Sequence, residues 1–223
     1  MGLISDNIQS FLEKIPENVQ LIPISKTKPN DMILDAWQNG FKVFGENKVQ
    51  ELVRKFEELP EDIQWHMVGH LQSNKMKYIA PFVHLLHGVD SFKLIKIMDK
   101  EAKKAGRILN GLFQLHIASE ETKFGFLPDE IFEILDSRAY AEIENVRMIG
   151  VMGMATLTNN ESIISKEFKE LYNTYLNLKS RYFQNDENFK EISMGMSGDY
   201  EIAIKEGSSM IRIGSAIFGE RYK

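Results

Sequence analysis

One lysine of this sequence stands where Schiff-base chemistry is expected. Lys26 directly follows LIPIS, an apolar segment with the β-branched residues that are typical of a strand. The end of a buried strand partly desolvates an ammonium group, which lowers its pKa and favours the neutral, nucleophilic amine. Taken alone, the same feature also fits a surface lysine that begins a loop.

Two loops near the end of the sequence combine glycines with hydroxyl side chains. One predicted strand is followed by Gly195, Ser197 and Gly198, with Ser197 predicted to cap a helix, and the next strand is followed by Gly214 and Ser215. Backbone N–H groups at such helix starts bind anions. Ordinary serine capping explains either loop by itself, but the pair on neighbouring loops predicts a site for a phosphate monoester.

Arg212 is a further candidate for the same site. It lies inside the last predicted strand, just before Gly214, so its side chain is expected to point into the same end of the fold. A buried, unpaired guanidinium is costly, so Arg212 needs an acceptor. Pyridoxal 5'-phosphate (PLP) fits all of these groups, because it has an aldehyde for Lys26, a phosphate for the two loops and a ring nitrogen for Arg212.

Other polar residues have simpler interpretations. Gly45 permits a tight turn, and Asn47 after it is interpreted as a helix N-cap more readily than as a ligand contact. His66 alternates with apolar neighbours, as a hydrogen-bonded core histidine does, and no second histidine or acid stands at metal-ligand spacing, so we predict no metal site. Lys123, in the loop ASEETKFGF, either reaches the cavity or faces solvent.

The elements that position these residues alternate along the chain. Short apolar segments at residues 21–25, 42–45, 64–68, 85–89, 112–118, 146–154, 189–194 and 210–213 are predicted strands. Helical patterns cover residues 31–38, 47–59, 73–79, 91–105, 129–137 and 161–183. This alternation predicts an α/β fold, a single (β/α)8 TIM barrel over residues 1–223, with ligands at the C-terminal ends of the strands. A doubly wound open sheet is the alternative, although it would usually use fewer strands.

The composition limits the classes of function. The net charge of -5 opposes binding to a nucleic-acid backbone, and the basic run at residues 96–107 is predicted to be the solvated face of a helix. The absence of cysteine removes disulfides, thiolate nucleophiles and sulfur-ligated metals. No apolar run reaches membrane-spanning length, and the first residues lack the apolar region of a signal peptide. We therefore expect a cytoplasmic protein with no nucleic-acid or membrane partner.

Several segments resemble a known family. The segments ISKTKP, FGENKVQEL, WHMVGHLQSNK, SEETKFG and ISMGMSGDYEIAIKEGSSMIRIGSAIFGER are similar to those of the YggS/PROSC proteins, the PLP homeostasis family, whose fold resembles the N-terminal barrel of alanine racemase. They span nearly the whole chain in order, and the last is the most specific. The segment GVMGMAT, at the end of the sixth predicted strand, is less typical of the family.

The resemblance implies a role for each candidate residue. Lys26 would form the internal aldimine with PLP, and Arg212 would face the pyridine nitrogen. Asn47 would line the pocket. The phosphate would be held by Ser197, Gly214 and Ser215.

The resemblance also raises the question of whether the protein is an enzyme or a carrier. An arginine opposite the ring nitrogen leaves the pyridine unprotonated and a weak electron sink, which disfavours transamination and most decarboxylation. Alanine racemase completes its site with a second domain, whereas this sequence ends on the polar tail GERYK shortly after Arg212. We therefore expect an open site without substantial turnover, in a monomer that holds PLP and releases it to apo PLP-dependent enzymes, with Lys123 as a possible second acceptor.

Three alternatives stay open at this stage. A PLP-dependent amino-acid racemase of low activity would exchange deuterium at Cα. A class I aldolase would use Lys26 without a cofactor and would be colourless. An interaction module with a vestigial barrel would bind no phosphate ligand.

Overall fold

The computed structural model describes residues 3–119 and 124–219, and its centre is a barrel of parallel strands. The strands are β1 (Gln20–Pro23), β2 (Val43–Glu46), β3 (Gln64–Met67), β4 (Leu85–Val89), β5 (Leu109–Gln114), β6 (Val146–Met152), β7 (Glu191–Met196) and β8 (Met210–Ile213). From β2 to β8, each strand pairs with the next one in the chain, and β8 pairs with β1. The predicted (β/α)8 barrel is confirmed.

The barrel closes between β1 and β2 through a narrow contact. Ile24 and Gly45 form a single parallel bridge there, and the Ser25 N–H donates to the Gly45 carbonyl at 3.0 Å. A Cβ atom at Gly45 would lie 2.4 Å from Cδ1 of Ile24 and 3.3 Å from Cγ2 of Ile22, so a side chain at this position would displace the Ile24 side chain. Gly45 is therefore required by close packing at the closure, and the predicted role in a tight turn is wrong.

Helices surround the barrel within the part of the chain that is described. They are α1 (Leu3–Leu12), α2 (Asn30–Gln38), α3 (Val49–Glu58), α4 (Met76–Ile79), α5 (Phe92–Ala105), α6 (Pro128–Leu135), α7 (Arg138–Ala141), α8 (Glu161–Arg181), α9 (Tyr200–Lys205) and α10 (Ser215–Phe218). A 3₁₀ turn at Ser73–Lys75 precedes α4. None of these helices is long and apolar enough to cross a membrane.

The predicted element bounds differ most from the structure at the fifth strand and at the third helical pattern. The fifth strand was expected at residues 112–118 but occupies Leu109–Gln114, because the chain turns away after Gln114 and Leu115 bridges Phe126 instead. The third helical pattern, residues 73–79, is divided into the 3₁₀ turn and the single α-helical turn of α4. The helix α1, whose buried residues include Ile4 and Ile8, had not been predicted.

The two faces of the sheet have different surroundings. The outer face packs against the helices in the large apolar core that contains Phe44, Trp65 and Phe113. The barrel interior holds a smaller apolar cluster of Ile22, Ile24, Leu85, Leu112, Met152 and Met210. Register partners of this cluster share its face, so Arg212 opposite Ile22, His66 opposite Leu85 and Ser193 opposite Met152 also point inward. The interior is thus partly polar.

Candidate functional site

A cavity of about 320 Å³ opens at the C-terminal ends of the strands. Its volume is at the lower end of the range of small-molecule sites, roughly 300–1,000 Å³. The residues that line it are Ile24, Lys26, Lys28, Asn47, Val68, Met154, Met196, Ser197, Gly198, Arg212, Gly214, Ser215 and Gly219. The structure therefore brings all six sequence-predicted site residues to one cavity.

Lys26 and Asn47 reach the cavity from the loops after β1 and β2. Lys26 is half-buried and follows the closing bridge of the barrel at Ile24. Asn47 does not cap α3, because the helix begins at Val49 and Lys48 is its N-cap residue. The cavity position of Asn47 also explains Gly69, where a Cβ atom would lie 2.4 Å from the Asn47 carbonyl oxygen. The N-cap interpretation of Asn47 is therefore wrong.

The two predicted anion loops differ in their geometry. Gly214 is the N-cap residue of α10, which begins at Ser215 as expected. After β7, however, α9 begins only at Tyr200 with Asp199 as its N-cap residue, so Ser197 does not cap a helix. Asp199 instead accepts a hydrogen bond from the Met196 N–H at 2.5 Å, which closes the turn and leaves Ser197 at the cavity wall.

Arg212 forms the floor of the cavity from inside the barrel. Its side chain donates from Nη1 to Oγ of Ser193 at 2.6 Å and from Nη2 to the Gly153 carbonyl at 3.2 Å. Both acceptors are uncharged, and burial lowers the pKa of Arg212 to about 10. Within the described part of the chain these two groups are the acceptors of the guanidinium, which carries more N–H donors than two acceptors use.

A chain of buried hydrogen bonds continues from Arg212 into the barrel. Oγ of Ser193 lies 2.8 Å from Nδ1 of His87, and Nε2 of His87 lies 3.0 Å from Nδ1 of His66. Among the described residues, Nε2 of His66 has no partner, so the expectation of a fully hydrogen-bonded core histidine holds for only one ring nitrogen. Burial, together with His84, lowers the pKa of His66 to about 3, and burial also lowers that of His87. Both imidazoles are neutral at pH 7.

These neutral histidines make the fold sensitive to acid. An unfolded histidine titrates near pH 6.5, so between that pH and about 3 the unfolded chain binds protons that folded His66 excludes. Their contribution to stability is therefore complete above pH 6.5 and is lost as the pH falls, by up to about 1.4 kcal/mol per pH unit for each histidine. We expect urea unfolding between pH 6.5 and 5 to show this loss.

One variant tests the assignment of this effect to the buried pair. His66→Asn keeps an acceptor for His87 and is expected to reduce the pH slope. Equal slopes for the wild type and His66→Asn would contradict the account.

A buried charged cluster lies directly beside Lys26. Nζ of Lys55, which is fully buried, donates to Oε1 of Glu46 at 2.7 Å, to Oε1 of Glu51 at 2.8 Å and to the Ser25 carbonyl at 2.8 Å. Oγ of Ser25 donates to the same Glu46 oxygen at 2.6 Å. Burial raises the pKa of Glu46, although Lys55 and Ser25 lower it in turn. The cluster is hydrogen-bonded to Ser25, the residue directly before Lys26.

Several residues that line the cavity are not among the site residues predicted from the sequence. Lys28 is buried at the cavity wall and donates from Nζ to the Gly219 carbonyl at 3.0 Å, which ties the loop after β1 to the end of α10. In the sequence, the position of Lys28 in the same loop as Lys26 is the signal that could have indicated its role. Met154, in the less typical segment GVMGMAT, completes the wall after β6. Lys123 lies outside the described residues, and those residues include no group of three side chains suited to a metal ion.

Comparison with known proteins identifies the family. The model of the alanine racemase N-terminal domain matches residues 2–222. A pyridoxal phosphate homeostasis protein of Aquifex aeolicus is 36% identical over 225 residues, which cover 99% of this chain and 96% of that protein. The protein of the same name from Escherichia coli K12 is 36% identical over 238 residues, covering 99% and 98%. The chain belongs to the pyridoxal phosphate homeostasis protein family.

A solved structure of a COG0325 family member shows the same architecture. PipY of Synechococcus elongatus PCC7942, with PLP bound, is 31% identical, and the match covers 97% of this chain and 100% of that one with a TM-score of 0.87. The structural match therefore extends over nearly the whole barrel described above.

Proposed function

We propose that this protein binds PLP in the cavity at the barrel mouth and serves intracellular PLP homeostasis. The observation that carries the proposal is the convergence of Lys26, Arg212 and the loops after β7 and β8 on one cavity of about 320 Å³. The described barrel would be the complete binding unit. The relatives of the same family support the proposal, since one of them, PipY, has been solved with PLP bound.

The cavity residues fit the chemical groups of PLP. The amine of Lys26 would form a Schiff base with the aldehyde, and Arg212 would donate to the ring nitrogen. Ser197, Gly214 and Ser215 would hold the phosphate, at the loops where barrels often bind phosphate. Asn47 would line the opposite wall. Bound PLP supplies an aldehyde that reacts reversibly with amines, which is the chemistry that a carrier needs.

The charges of the site match this ligand. Arg212 is buried, and its two protein acceptors are the uncharged Ser193 hydroxyl and Gly153 carbonyl. A ligand atom that accepts from the remaining N–H groups, as the ring nitrogen of PLP would, would therefore offset part of the cost of burying the guanidinium. Arg212 would remain protonated and would not deliver a proton to the ring. Lys26 then acts as a reversible tether in the proposed role.

The proposal extends to release. We propose that the protein is a cytoplasmic monomer and that it gives PLP to apo PLP-dependent enzymes. Release is chemically feasible because a Schiff base forms and breaks reversibly, and the cavity opens at the barrel surface. The PLP-loaded protein is mixed with an apo-enzyme that requires PLP, and the recovery of that enzyme's activity is followed. We expect recovery.

The matched control for release is the same protein after borohydride reduction, which converts the Schiff base into a stable secondary amine. The reduced protein is expected to restore no activity, since its PLP can no longer leave Lys26. Failure of the unreduced protein to reactivate the apo-enzyme would contradict the proposed carrier role.

A further inference from the structure

The backbone on both sides of Lys26 is held by charged side chains of α3. The Thr27 N–H donates to Oε1 of Glu51 at 2.6 Å, and the Ser25 carbonyl accepts from Nζ of Lys55 at 2.8 Å. Lys55 and Glu51 are themselves joined at 2.8 Å, one turn apart on the helix. The two residues that flank Lys26 are thus fixed to one ion pair.

Thr27 needs such a contact because of its backbone conformation. Its φ of 63° is the one positive value among the described residues other than glycine. A β-branched residue in the left-handed region costs roughly 1–3 kcal/mol and persists only where the surroundings enforce it. The turn is closed by the Lys28 N–H, which donates to the Ser25 carbonyl at 3.0 Å, and the charge-assisted hydrogen bond from Thr27 to the Glu51 carboxylate adds a contact from α3.

The turn decides where the amine of Lys26 points. Without the left-handed residue at Thr27, the chain would leave β1 in a different direction, and Lys28 could not reach the Gly219 carbonyl as it does. The second carboxylate, Glu46, fixes the same segment from below through Ser25. Lys26 therefore has its direction set by residues that do not themselves line the cavity.

We propose that Glu51, supported by Lys55, is a positioning residue that aims Lys26 into the cofactor cavity by holding Thr27 in the left-handed conformation. This inference rests on the proposed function, since it assigns the device that presents the PLP-binding lysine. It predicts a specific coupling between Glu51 and Thr27. A glycine at position 27 adopts the left-handed conformation without strain, so it no longer needs the carboxylate.

The test measures PLP affinity in a set of variants. Glu51→Ala is expected to weaken PLP binding about tenfold, which is the effect of losing one hydrogen bond to a charged acceptor. Adding Thr27→Gly to Glu51→Ala is expected to restore most of the loss. Glu57→Ala, at an exposed position of the same helix, is the matched control and should leave affinity unchanged.

A second readout does not depend on the cofactor. The rate of reductive methylation of Lys26 in the PLP-free protein, located by peptide mass spectrometry, is expected to rise in Glu51→Ala as the amine leaves the cavity. Thr27→Gly in that background should return it towards the wild-type rate. Methylation of the exposed Lys48 is the internal reference.

The outcomes separate this inference from the proposed function. A wild-type protein that does not bind PLP through Lys26 refutes the proposed function, whereas the methylation rates still test the positioning role. If Glu51→Ala behaves like Glu57→Ala in both readouts, or if Thr27→Gly restores nothing, the inference is overturned. Should Glu51→Ala not fold, Glu51→Gln takes its place, with a smaller loss that Thr27→Gly is again expected to reverse.

Discussion

Replacing Lys55 with methionine is expected to lower the free energy of unfolding by about 3–5 kcal/mol. The substitution keeps the volume of the side chain but removes the cation that neutralises Glu46, whose side chain is fully buried. An isolated buried carboxylate is strongly destabilising, while a complete buried pair contributes little net stability. Urea unfolding at pH 7 measures the change.

Two further variants test the reason for this loss. Lys42→Met removes a surface ion pair with Asp62, in which the two side chains are 39% and 56% exposed, so it should cost much less stability than Lys55→Met. Lys55→Met combined with Glu46→Gln is expected to recover part of the stability, because the uncompensated charge is gone. A double variant less stable than Lys55→Met would contradict this explanation.

Replacing Lys26 with alanine is expected to abolish the visible absorbance band of the PLP-bound protein. The Schiff base would be lost, and the phosphate loops and Arg212 would hold PLP by noncovalent contacts alone. We expect an affinity loss of at least about 100-fold, which corresponds to about 2.7 kcal/mol. Absorbance titration with PLP measures both the band and the affinity.

Two control variants test whether the band is lost because the Lys26 amine is lost. Lys26→Arg retains a cation that cannot form the Schiff base, so its band should also be absent. Lys48→Ala removes an exposed lysine from the same side of the barrel and should leave the band intact. A normal band in Lys26→Ala would show that another amine carries the cofactor.

The fold was largely predictable because each of its elements has a local signal. The β-branched runs and helical periodicity located the strands of the barrel to within a few residues, and strand ends in a barrel converge by geometry. The sequence alone therefore places Lys26, Arg212 and Ser215 at the same end of the barrel, where the strands have their C-termini. The shifted β5 shows the limit, since its apolar pattern continues into residues that turn away to bridge Phe126.

The supporting polar contacts were not predictable, because they join distant parts of the sequence. His87 and Ser193 are 106 residues apart, and Lys55 and Ser25 are 30 apart. Such pairs depend on strand register, which composition and periodicity do not specify. The i,i+4 spacing of Glu51 and Lys55 is typical of an exposed pair on a helix, whereas the structure buries Lys55 beside the segment of Lys26.

The most direct test of the account is to locate the cofactor on the chain. The PLP-loaded protein is reduced with borohydride, weighed intact and digested, and the modified peptide is sequenced by mass spectrometry. We expect one phosphopyridoxyl group per chain, on Lys26. A group on Lys28, which lines the same cavity, or no stable adduct at all would contradict it.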